Sequence, residues 1–143
     1  AHEGVMTCTQ PTAAQRADIN FALPIVRQIR TLDVGQAVAV KDREVIAVES
    51  IEGTDQMIQR AGALCPSGKW TLVKVATPLQ DMRFDVPTVG PKTIENLKAA
   101  GGTCLAVEVE KVILIDKPKF LDSAERMGIA VVGVRLEEPH GTA

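Results

Sequence analysis

The sequence predicts an α/β domain built on a mixed, largely parallel sheet, with helices on both faces and an N-terminal hairpin. Three observations carry this reading. Short apolar runs alternate with stretches of helical period. Those runs are nearly continuous Val, Ile, Leu and Ala, as in strands covered on both faces. Two of them, Ala-Val-Ala-Val in residues 36–40 and Val-Ile-Ala-Val in residues 44–50, are separated by Lys41-Asp42-Arg43, which reads as a hairpin.

Taken in order, residues 1–11 hold Gly4, Thr7, Thr9, Gln10 and Pro11 without periodicity, and are expected to be a linker from something upstream. Thr12-Ala-Ala-Gln15 is a capping box, so a helix should follow. Ile19, Leu23, Val26 and Ile29 or Arg30 supply its stripe, Pro24 should kink it, and Gly35 marks its end. After the hairpin, Gly53-Thr54-Asp55 opens a short helix with Met57, Ile58 and Ala61 inward and Gly62 as a left-handed cap. Pro66-Ser67-Gly68 turns the chain into a strand at residues 71–76. Gly90-Pro91 starts a helix with proline at its first position, an apolar stripe of Ile94, Leu97 and Ala100, and a stop at Gly101. Residues 104–109 and 112–115 read as strands. Asp116 caps a helix bearing Phe120, Leu121 and Ala124, Gly128 stops it, and residues 129–134 are the last strand. The polar tail 137–143 should fray.

A chain of 143 residues is one ordinary domain, able to bury roughly two-thirds of its unfolded surface. Trp70, Phe21, Phe84 and Phe120 are all the aromatics, too few for a platform of stacked bases. The net charge of −2, from 16 basic and 18 acidic residues, includes no basic run, so no nucleic-acid partner is expected. The three cysteines, Cys8, Cys65 and Cys104, lack zinc or redox spacing and fit a reducing compartment. Cys65 and Cys104 read as core residues. With no apolar stretch of about 20 residues, a soluble, cytoplasmic chain is expected.

Two segments stand out chemically. In residues 81–85, period-two alternation of an extended chain puts Asp81, Arg83 and Asp85 on one face, with Lys74 and Thr88 flanking. Such a face suits a hard cation and a phosphate together. In a strict strand the two aspartates lie roughly 13 Å apart, too far to share one ion. Either the segment bends, or one acid binds metal while the other pairs with Arg83. Pro78 and Pro87 bracket it and argue for a shaped loop. The second segment is Glu49-Ser50-Ile51-Glu52-Gly53-Thr54-Asp55, a strand end running into a helix N-terminus. Orphan amides and the helix dipole there attract phosphate, and Glu49 and Glu52 are candidate cation ligands. A further helix start, Val86-Pro-Thr-Val-Gly-Pro91, offers amides and the Thr88 hydroxyl for another anion.

Together, the run from Ala47 to Asp55, Lys74-Val75-Ala76, and Gln80-Asp81-x-Arg83-x-Asp85-x-Pro87-Thr88-x-Gly90-Pro91 resemble the LpxI-type UDP-2,3-diacylglucosamine pyrophosphatases. The likeness includes Leu32-Asp33-x-Gly35-Gln36 and the strand Val131-Val-Gly-Val134. It implies a hydrolase of lipid A assembly that releases UMP and lipid X from a nucleotide-sugar lipid with magnesium, manganese being the alternative ion. It implies Asp85, Asp81 and Glu52 as catalytic, Asp81, Asp85 and Glu49 as metal ligands, and Gly53, Thr54, Lys74, Gln80, Arg83 and Thr88 as substrate-binding. Family members are about twice as long, so residues 12–136 are expected to be a C-terminal catalytic-type domain. The expected partners are a missing N-terminal domain and a second copy of the chain, with peripheral contact to the inner membrane. Two other readings share the layout. A Toprim-like magnesium phosphodiester enzyme would want Asp-x-Asp where this chain has Asp-x-x-x-Asp. A non-catalytic module would bind nucleotide-sugar or dimerise.

Overall fold

The computed structural model of the chain describes residues 3–76 and 87–136. A six-stranded sheet in the order β1-β8-β6-β4-β2-β3 forms its centre. The strands are β1 (Gly4–Val5), β2 (Ala37–Lys41), β3 (Glu44–Val48), β4 (Trp70–Lys74), β6 (Gly102–Glu108) and β8 (Ala130–Val134). β4, β6 and β8 are parallel, while β1 against β8 and β2 against both β4 and β3 are antiparallel. The sheet is therefore mixed and parallel at its centre, as the apolar runs predict. A separate pair, β5 (Thr88–Val89) and β7 (Ile113–Leu114), is parallel.

Four helices among the described residues cover the sheet: α1 (Ala13–Thr31), α2 (Thr54–Leu64), α3 (Pro91–Ala100) and α4 (Lys117–Met127). Strand alternation sorts β6 onto two cores. Cys104 and Ala106 meet Ile19, Ala22 and Val26 of α1, while Leu105 and Val107 pack with Ile58 of α2, Leu97 of α3 and Phe120 of α4. Both faces being covered explains why the strands carry so few polar residues.

The Thr12–Gln15 capping box forms as the sequence predicts. The hairpin forms too, and its turn compensates for having no glycine. Asp42 (φ 51°) and Arg43 (φ 57°) both adopt the left-handed conformation that a tight hairpin turn requires. Buried Asp18 of α1 supports them by accepting the amides of Asp42 (3.2 Å) and Arg43 (2.7 Å).

Several boundaries differ from expectation. α1 contains Pro24 and ends at Thr31, with Leu32 rather than Gly35 at its end. Residues 112–115 give only the short β7, outside the main sheet. Gly62 caps nothing, because α2 continues through it to Leu64. Its role is close packing: a Cβ there would sit 2.8 Å from both Cβ and O of Ala100 on α3. Gly62→Val is thus expected to lower stability by about 1–3 kcal/mol in urea unfolding; an unchanged midpoint would contradict this close approach.

Residues 1–11, read as linker, contribute β1 to the sheet edge. The segment after it is tied to α4, where the Glu125 carboxylate accepts the amides of Cys8 and Thr9 and the Thr9 hydroxyl. The Cys8 amide above all lowers the Glu125 pKa below its ordinary 4.5. A depressed carboxylate stabilises the fold above the ordinary value, and that contribution is lost as pH falls through the folded one. Glu125→Gln should accordingly speed amide exchange at residues 8 and 9 at neutral pH. The difference from the parent protein should shrink as pH drops below 4.5; a pH-independent difference would rule out the charge as its origin.

Candidate active-site cleft

Because β3 and β4 run in the same direction, they end at the same edge of the sheet, where ligands of open α/β sheets commonly bind. A cleft of about 430 Å³ opens there. Its walls come from the end of α1 and the segment after it, the residues following β3, the start of α2, the end of β4, and Pro87-Thr88.

Glu49 leaves β3 with its amide bonded to the Ala37 carbonyl (2.9 Å), which holds the backbone against the sheet. Its buried carboxylate accepts the Thr54 hydroxyl at 2.6 Å. Gly35 fixes this arrangement from the other side: a Cβ on it would fall 1.9 Å from the Glu49 carbonyl oxygen. The glycine read as a helix stop is instead required for the backbones to pass. Gly53 caps α2 at φ 91°, with no side chain on the helix end. The first amides of α2, unpaired within any helix, therefore open beside Gly53 and Thr54 on the cleft wall.

Lys74, at the end of β4, is buried and donates from Nζ to the Thr88 carbonyl at 3.1 Å, linking β4 to the returning chain. Thr88 itself is exposed and lines the cleft. Five residues expected from the sequence, Glu49, Gly53, Thr54, Lys74 and Thr88, thus share one cleft.

Glu52 is placed elsewhere. It forms a two-point ion pair with Arg60, through Nε at 3.2 Å and through Nη2, and Arg60 also donates to the Val48 carbonyl at 2.8 Å. Hydrogen bonding to Arg60 holds the Glu52 pKa below the ordinary value. This acid belongs to an exposed brace between β3 and α2 and does not line the cleft. Gln80, Asp81, Arg83 and Asp85 lie outside the described residues. Of the residues that flank their segment, Pro87 lines the cleft, and the Ala76 amide is bonded to Glu108, the partner of Arg30.

Sequence reasoning missed Arg30, Glu108 and Gln36. Arg30 lines the cleft and donates from Nη1 to both oxygens of Glu108, at 3.2 and 3.1 Å. Glu108 also accepts the Ala76 amide at 3.0 Å. A signal for the pair existed: Arg30 continues the buried stripe Ile19, Ala22, Val26, and Glu108 ends an apolar strand. Charges in such positions call for a partner. Gln36 contributes a carboxamide to the wall, and its buried Oε1 has no hydrogen-bond partner among the described residues.

Cys104 is fully buried and burial pushes its thiol up to about 12, so it is a packing residue, as the sequence predicts, and no nucleophile. Among the described residues no group of three or more His, Cys, Asp or Glu converges as a metal-binding cluster. Asp33 and Glu49 nonetheless give the cleft two carboxylates beside hydroxyl and carboxamide oxygens, with no His or Cys among its walls. That donor chemistry fits a hard cation such as magnesium and not zinc.

Residues 2–132 match the LpxI C-terminal domain family. One similar protein is the UDP-2,3-diacylglucosamine pyrophosphatase LpxI of Caulobacter vibrioides, 33% identical over 135 residues. That match takes in 90% of this chain and 48% of the relative, so the chain spans about half the length of that relative. With the family's model matching nearly the whole chain, the chain belongs to the LpxI C-terminal domain family.

Proposed function

We propose that the chain supplies the C-terminal half of a hydrolase that adds water across the pyrophosphate of UDP-2,3-diacylglucosamine, giving UMP and lipid X in lipid A biosynthesis. The observation that supports this most is the gathering of Glu49, Gly53, Thr54, Lys74 and Thr88 on one cleft in a chain of this family. The amides at Gly53 and Thr54 hold one phosphate by hydrogen bonding and helix dipole. Lys74 provides a compact cation for phosphate oxygens, and Arg83 a bidentate one. Gln80 and the Thr88 hydroxyl orient the substrate.

Glu49 is better placed than Glu52 to orient the attacking water, because it lines the cleft while Glu52 is committed to Arg60. Asp81, Asp85 and Glu49 would hold magnesium or manganese. When bound, the ion neutralises charge developing on the phosphates during cleavage.

The relative's extra length motivates the rest of the proposal: a second, N-terminal domain closes over the substrate, and the assembled protein is a homo-oligomer acting in the cytoplasm at the inner-membrane surface. Among the described residues no helix is long and apolar enough to cross a membrane.

The test is hydrolysis of UDP-2,3-diacylglucosamine followed by phosphorus NMR, using the chain alone and joined to the family's N-terminal half. UMP and lipid X should form with both halves and magnesium, and chelation should stop the reaction. Absence of cleavage by the joined protein, or cleavage indifferent to chelator, would overturn the proposal.

A further inference from the structure

We infer that Arg30 binds an anionic oxygen of the ligand at the cleft, outside the phosphate-binding set read from the sequence, and that Glu108 positions it. This deepens the hydrolase proposal and rests on it for the ligand class, a diphosphate. Arg30 is only 8% exposed, on the face of α1 that packs against the sheet. A guanidinium so placed must be paired and hydrogen-bonded. Glu108 meets that need through a single nitrogen, Nη1, which donates to both carboxylate oxygens.

The opposite edge of the guanidinium is left over. Among the described residues Nε and Nη2 have no partner, and neither is a sealed, unpaired atom of the kind seen at Gln36. Arg30 lines the cleft, and the Nε–Nη2 edge of a guanidinium carries two parallel N–H groups. Two oxygens of one phosphate match that spacing, whereas a lysine could offer only a point charge.

The local charge agrees. Lys111 lies 3.8 Å from Glu108, so the carboxylate that holds Arg30 is flanked by a second cation. Asp33 and Glu49 line the same cleft and repel a bare anion, which favours one accompanied by a divalent cation. Glu108 also takes the Ala76 amide, so the carboxylate that aims Arg30 holds the backbone just after β4 as well.

The probe is inorganic pyrophosphate with magnesium, added to the chain while the arginine Nε–H resonances are followed by nitrogen NMR and affinity by calorimetry. Arg30 should shift on binding, and Arg126, in its exposed pair with Asp122, should not. Arg30→Lys retains a cation for Glu108 but loses the fork, so affinity should fall about tenfold or more. Arg30→Gln with Glu108→Gln leaves no buried charge unpaired and should weaken binding similarly while remaining folded; it decides the matter if the lysine variant unfolds. An unmoved Arg30 resonance with pyrophosphate bound, unchanged affinity in the folded double variant, or no binding by the parent chain would each overturn the assignment. Pyrophosphate seated on Arg30 without cleavage of the lipid nucleotide by the joined protein would remove the hydrolase and leave this anion site standing.

Discussion

Turnover by the joined protein is expected to fall by about a thousandfold or more when Asp85 is replaced by alanine, with the fold unchanged. The magnitude follows from what a bound metal does for phosphoryl chemistry: removing several kcal/mol of charge stabilisation at the transition state costs three or more orders of magnitude. The fold should survive because Asp85 lies between Ala76, bonded to Glu108, and Pro87, whose carbonyl accepts the Ile113 amide at 3.0 Å. Both anchors are bonds between other residues. Steady-state hydrolysis by the joined protein, beside circular dichroism of the variant, provides the check. Activity near that of the parent protein would refute the metal assignment.

Glu108→Ala, which removes the buried partner of the cleft residue Arg30, should lower stability by about 3–5 kcal/mol. The cost is less the loss of an attraction than what is left behind. Arg30, 8% exposed, would keep its charge without a counter-ion, and the Ala76 amide would lose its acceptor. Glu108→Gln should cost less, because an amide oxygen still accepts from Ala76 and Arg30. Urea unfolding of the two variants separates these contributions. A loss below about 1 kcal/mol for alanine would mean that water replaces the carboxylate freely at this site.

The architecture was legible because its signals are local. The Thr12–Gln15 capping box, proline at the first position of α3 and the glycines at 101 and 128 mark helix ends through backbone chemistry that needs no tertiary partner. Gly35 and Gly62 were misread for the opposite reason. Each is glycine because a distant backbone passes it, Glu49 in one case and Ala100 in the other, and nothing in the neighbouring sequence reports such an approach.

The site was legible in part. Glu49, Gly53 and Thr54 could be read together because they lie within one strand-to-helix step, and Lys74 and Thr88 because they flank the acidic segment. Glu52 shares that step with Glu49, yet its partner Arg60 lies two helical turns on, so its direction was not encoded nearby. Arg30 and Glu108 meet across 78 residues of sequence, a pairing that only the packing of α1 on the sheet creates. The same holds for the hairpin turn, where Asp18 takes the part that a glycine's conformational freedom would otherwise play.

Paramagnetic broadening by manganese in the presence of pyrophosphate tests most directly whether the acidic segment and the cleft form one site. One bound ion should broaden the amides of residues 81–85 together with those of Glu49, Thr54 and Thr88. Broadening of residues 81–85 alone, with the cleft amides sharp, would show that cation and cleft are separate and that no single diphosphate site exists.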